Sequence, residues 1–140
     1  MARLAPFILI IFAMVFLTQC AEKSSDEYTD LGISYTNEQK YDKALEAYLK
    51  AVEKNPRNTQ AHYGLGGIYN YKKMLPQAEQ SFKTAIQLDP THYNAYYSLG
   101  FTYDLMGNKT KAEENFQRYR ELKGKLDAII AKDAALPLAQ

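Results

Sequence analysis

The sequence has no tryptophan and a single cysteine, Cys20, so no internal disulfide can hold the chain together. It has two histidines, and no Gly-rich phosphate loop stands between a strand and a helix. Seventeen Lys and Arg against sixteen Asp and Glu leave a net charge of +1. A field that weak offers no basis for binding nucleic acid or an anionic surface. There is one long uninterrupted apolar run, residues 6–17, too short for an ordinary membrane-spanning helix. What remains is ordinary for a folded chain of 140 residues: 46% hydrophobic, 24% charged, and rich in tyrosine, with 12.

The apolar run follows Arg3 and ends at Leu17-Thr18-Gln19-Cys20. A short positive end and an apolar core of this length have the form of a signal peptide. The end of the run resembles the lipobox of bacterial lipoproteins, although the residue before the cysteine is normally small and here is Gln19. The resemblance implies a signal peptide over residues 1–19, lipidation of Cys20, and a short polar tether over residues 20–24. It also implies a place in the bacterial cell envelope, on the outer membrane facing the periplasm, because Ala21 rather than Asp follows the cysteine. From Ala21 to Ser24 the tether spans at most ~15 Å, which would hold the first folded unit near the bilayer. An uncleaved amino-terminal anchor and a secreted chain with an incidental cysteine are the alternatives.

Beyond Ser25 the sequence repeats. Tyr28, Leu31, Gly32, Tyr35, Ala44, Tyr48, Ala51 and Pro56 recur 34 residues later as His62, Leu65, Gly66, Tyr69, Ala78, Phe82, Ala85 and Pro90. After another 34 they recur as Tyr96, Leu99, Gly100, Tyr103, Ala112, Phe116, Tyr119 and Gly124. The spacing i, i+3, i+4, i+7 of the first four is one face of a helix. Asp42 stands where a cap of the next helix would, Pro76 suits a first helical turn, and Asn55-Pro56 and Asp89-Pro90 end helices. Gly32, Gly66 and Gly100 fall where two helices of a copy would cross, opposite Ala44, Ala78 and Ala112, with Tyr48, Phe82 and Phe116 as fillers. In the third copy the terminating proline is Gly124. A single helix is therefore expected from Lys109 to about Ala134, its stripe of Phe116, Tyr119, Leu122, Leu126, Ile129 and Ile130 sealing the last repeat.

This pattern resembles the tetratricopeptide repeat family. The resemblance implies an all-α fold, an alpha-alpha superhelix of three helix-turn-helix repeats (25–58, 59–92, 93–124) followed by a capping extension over 125–140. It implies a ligand groove lined by the first helix of each pair, and hence a protein or peptide partner. The residues expected there are Tyr63, Gly64, Gly67, Asn70, Tyr71, Asn94, Tyr97, Phe101 and Asp104. Tyr63, Tyr71, Tyr97 and Phe101 would form an aromatic floor beside bare backbone at Gly64 and Gly67. Asn70, Asn94 and Asp104 would bond a peptide backbone. Chaperone-binding members clamp a terminal carboxylate with basic residues. Here the matching places hold Thr29, Ile33, Gly64, Asn94 and Ser98, so that clamp is lacking.

No catalytic residue is identified. His62 occupies a packing place, His92 a turn, and neither pairs with a second metal ligand. No cofactor, metal or small-molecule substrate is implied, and no nucleic acid. The expected function is that of a membrane-tethered adaptor, an assembly factor for an envelope machine such as a pilus or secretion channel. A self-associating structural protein is the alternative, and an enzyme the least favoured.

Overall fold

The computed structural model describes residues 22–134. They form six helices and no strand: α1 (Ser25–Asn37), α2 (Tyr41–Lys54), α3 (Thr59–Tyr71), α4 (Leu75–Leu88), α5 (Tyr93–Leu105) and α6 (Lys109–Ala134). They pair as three hairpins, and the first helix of each later hairpin packs on the second helix of the one before it. This is the all-α superhelix expected from the repeat. The lipidation expected at Cys20 lies outside the described residues. No described helix is long and apolar enough to cross a membrane.

Each hairpin turns through one residue in the left-handed region, at Gln39 (φ 58°), Lys73 (φ 61°) and Gly107 (φ 77°), again 34 apart. The Lys40 and Gln39 N–H groups donate to the Tyr35 and Thr36 carbonyls at 2.8 and 3.0 Å, a Schellman closure of α1. The same two bonds recur at Met74 and Lys73 and at Asn108 and Gly107. Between hairpins, Asn55 (φ −142°) and Asp89 (φ −134°) are extended, the conformation that a following proline imposes. Pro76 lies in the first turn of α4. Asp42 does not cap α2: Lys40 holds that position with no side-chain capping bond, and Asp42 pairs with Lys72 of the next repeat.

A Cβ added at Gly32 would lie 2.5 Å from Tyr48 Cε1, and one at Gly66 2.5 Å from Phe82 Cε1. At Gly100 the nearest atoms would be Phe116 at 2.8 Å and the Ala112 carbonyl oxygen at 3.1 Å. Gly inside a helix costs about 1 kcal/mol against Ala, and burial of the three large rings offsets it. Ala44, Ala51, Ala78 and Ala85 are fully buried beside them.

Both ends of the stack are closed by charge. Where α3 and α5 bury Ala61 and Ala95, α1 has Glu27, and where they bury Ile68 and Thr102 it has Ser34. Glu27 completes a capping box with Ser24, accepting from the Ser24 N–H at 2.8 Å. Lys43 and Lys50 lie over the Tyr35 and Tyr28 rings. At the other end Arg120 replaces Val52 and Ile86 and pairs with Glu113 at 2.6 Å.

Two expectations change at the margins. Glu22 pairs with Lys54 and Ser24 caps α1, so residues 22–24 belong to the first hairpin rather than to a free tether. The seal by α6 also stops early. Phe116, Tyr119 and Leu122 are half-buried, but Leu126, Ile129 and Ile130 are 38%, 58% and 56% exposed. The reason is length: α6 has 26 residues and its partner α5 has 13, so α5 runs out beside the second half, where Thr91 and Tyr93 border an open groove with Leu126 and Ile129.

Candidate functional site

The face built from α1, α3 and α5 has a hollow of 170 Å³ at its centre. Thr36 borders it on α1, Ser98 on α5, and Gln60, Tyr63, Gly64, Gly67 and Ile68 on α3. Tyr48 and Phe82 form its base. Tyr63 leans on Phe82 and His92, with ring centroids 5.8 and 4.8 Å apart. Gly67 is exposed, and a Cβ there would meet nothing within 4 Å. Burial pushes the Tyr48 phenol up and a bond with Thr36 draws it partly back, so the group stays neutral at the base of the hollow.

The structure thus brings Tyr63, Gly64 and Gly67 together but treats the other expected residues unequally. Gly64 is not bare backbone, because Tyr48 of the preceding repeat lies against it and a Cβ would fall 2.5 Å from Tyr48 Cε1. Tyr97 and Phe101 are 52% and 45% exposed, with Tyr97 leaning on Phe116 and Tyr119 at 5.5 and 5.2 Å. Asn94 is exposed on the first turn of α5. Asn70 is committed elsewhere: its amide donates to Thr102 Oγ1 at 2.9 Å and accepts from it at 3.2 Å, which joins α3 to α5. Asp104 is paired with Lys109. Tyr71 stacks on Tyr41 at 3.8 Å in a separate depression beside Gln39, Asp42 and Lys72, none of which borders the hollow. Thr29, expected on the open face, is buried and accepts from Asn58 at 3.0 Å.

The histidines also differ from expectation. His62 is half-buried rather than core, with Nε2 2.9 Å from the Pro56 carbonyl. His92 is not free in its turn: Nδ1 accepts from the Ala95 N–H at 3.2 Å and caps α5. Among the described residues no group of three His, Cys, Asp or Glu could hold a metal ion.

A feature missed from sequence concerns charge. Helices α1, α3 and α5 contain no Lys or Arg, although the chain has seventeen. Their ionised residues are Asp26, Glu27, Asp30 and Asp104. The signal was available once the helix boundaries were assigned, because alternate helices share the open face.

Tetratricopeptide repeat models match residues 29–92 and 81–114. The chain belongs to the tetratricopeptide repeat family. Solved structures agree. A crystal structure of MamA superposes with a TM-score of 0.71 at 25% identity, covering 75% of this chain and 61% of that one. A point mutant of MamA gives 0.67 at 31% identity, covering 73% and 74%. YrrB, described as a TPR protein with an unusual peptide-binding site, gives 0.69 at 27% identity, covering 81% and 59%. The chain therefore spans 61% of the first MamA chain and 59% of YrrB. No curated protein sequence matches it.

Proposed function

We propose that this repeat protein is an interaction scaffold that holds a peptide or protein segment on the α1–α3–α5 face while Cys20 ties it to the membrane. The observation that carries the binding half is the open backbone at Gly67 beside the half-buried Tyr63 ring, a recess floored by apolar groups. The described YrrB peptide-binding site is in keeping with that reading. The anchoring half is supported by the Leu17-Thr18-Gln19-Cys20 end of the apolar run. With residues 22–24 already docked on the first hairpin, such an anchor would keep repeat 1 close to the bilayer. A role in assembling an envelope machine such as a pilus or secretion channel, on the outer membrane facing the periplasm, fits a scaffold so placed. Self-association by stacking of repeats is disfavoured by the charged ends of the stack.

Crosslinking in the native envelope followed by mass spectrometry tests both halves. The expected result is a partner crosslinked through α3 or α5 and acyl chains on Cys20. A partner still captured by a folded Tyr63→Ala/Tyr97→Ala protein would move the site elsewhere, and an unmodified Cys20 in a membrane-free protein would remove the anchor.

A further inference from the structure

We infer that the α1–α3–α5 face takes a cationic peptide segment, with one bulky apolar side chain seated beside Gly67 and Lys or Arg side chains reaching Asp26 and Asp30. This rests on the proposed reading of that face as peptide-binding and adds the chemistry of the partner.

The charge pattern is not a matter of composition, since acids and bases are almost equal in the chain as a whole. Eleven bases lie on the other helices, Lys43, Lys50 and Lys54 on α2, Lys83 on α4, and seven on α6, while Lys23, Lys40, Arg57, Lys72 and Lys73 lie outside the helices. Of the acids on the open helices, Glu27 is tied to Ser24 and Asp104 to Lys109. Asp26 and Asp30 are left. Both are exposed, one turn apart on α1, and no cation among the described residues lies within 4 Å of either. Among the described residues, Asp26 accepts one side-chain bond, from Asn58 Nδ2 at 3.3 Å, and Asp30 accepts none. Two like charges at i and i+4 repel; the α1 N-terminus favours Asp26 in the first turn, but no cation on α1 relieves the pair. A peptide cation would. An acidic segment would meet two carboxylates and find no Lys or Arg on any helix of the face to pair with it, so the face discriminates by repulsion as well as attraction.

The apolar part of the segment is set by the hollow. Its base is the Tyr48 and Phe82 rings, and the exposed Gly67 backbone leaves room for a ligand side chain where any other residue would intrude.

The test pans random short peptides displayed on phage against the full chain, with Gly67→Trp and Asp26→Asn/Asp30→Asn proteins in parallel. Gly67→Trp projects into open space, and its fold is checked by thermal melting. The expected binders carry a net positive charge and a large apolar residue, lose binding to Gly67→Trp, and bind the double Asn protein about fivefold more weakly. Their affinity for the parent falls as salt rises, and that fall is shallower for the double Asn protein. Enriched sequences like residues 118–132 would make a second copy of this chain the source of the cation. Neutral or acidic binders that Gly67→Trp still blocks would overturn the charge inference and leave the site standing. Binders indifferent to Gly67→Trp, or no binders at all, would overturn both.

Discussion

The two junctions between repeats occupy equivalent positions and are built from different chemistry. At the first, Asn58 is buried and polar on every side. Its side-chain oxygen accepts from the Ala61 N–H at 2.9 Å and caps α3, while its amide donates to Ser25 at 2.8 Å and Thr29 at 3.0 Å. At the second, His92 takes the same place in the repeat, caps α5, and lays its ring against Tyr63. The polar links move elsewhere, to Asn70 with Thr102 and to the Tyr103 hydroxyl, which donates to Glu79 at 2.9 Å. The fillers differ too. Tyr48 lies over both Gly32 and Gly64, whereas the place matching Gly64 at the second junction holds Ser98. A repeat dictates which backbones meet. It leaves open how they are joined, and the open face inherits the difference.

The largest expected effect comes from Gly64→Leu, which drives a side chain into Tyr48 and should cost about 3 kcal/mol or more. The matching Ser98→Ala should stay within about 0.5 kcal/mol. Thermal melts of the two compare the junctions directly, and equal melting temperatures would mean that Tyr48 swings aside freely.

Next is Asn58→Ala against His92→Ala. The first loses a cap and a buried network, about 2 kcal/mol, and the second mainly a cap, about 1 kcal/mol. Urea unfolding of both proteins checks the order, and a larger loss at His92 would reverse the picture of a polar first junction.

Lys73→Gly and Gln39→Gly act outside the junctions, at the left-handed turn where Gly107 already stands. Each should stabilise by roughly 1 kcal/mol, the left-handed penalty less the entropy glycine adds to the unfolded chain. Calorimetry measures the gain, and a loss would show that the Lys73 or Gln39 side chain matters more than the backbone.

The smallest effect is acid sensitivity of the second junction. A bond from Lys83 holds the Glu79 carboxyl below its usual 4.5, burial opposes this, and Tyr103 adds to the lowering. A group whose value is depressed on folding stabilises the protein above its unfolded value. That contribution fades as pH falls through the folded one. It should amount to under about 1 kcal/mol, because Glu79 is only partly buried and solvent screens it. Stability followed below pH 4.5 should fall less steeply in Glu79→Gln than in the parent.

Much of the hairpin packing was legible beforehand, because close approach leaves marks in composition. Gly32, Gly66 and Gly100 with their facing alanines and large rings announce where helices cross. The left-handed turns were also written at a spacing of 34, but two of the three carry Gln39 and Lys73, so no glycine announced them. The open face was less legible. Asn70, Asp104, Tyr71 and Gly64 are each spoken for by Thr102, Lys109, Tyr41 and Tyr48, and of these partners Thr102 and Tyr41 lie thirty or more positions away while Tyr48 belongs to another repeat. The second half of α6 misled for a related reason: a helical stripe tells which side is apolar, not whether anything lies opposite.

Sequence alone determined the helical repeat, its period and its close crossings, since these follow from spacing along one chain and from the sizes of residues facing each other within a repeat. Tertiary structure decided which polar groups remain for a partner and how far the last helix is covered. Those depend on neighbours brought together by stacking, and a residue's spare hydrogen bonds and charge are known only after its neighbours have taken theirs.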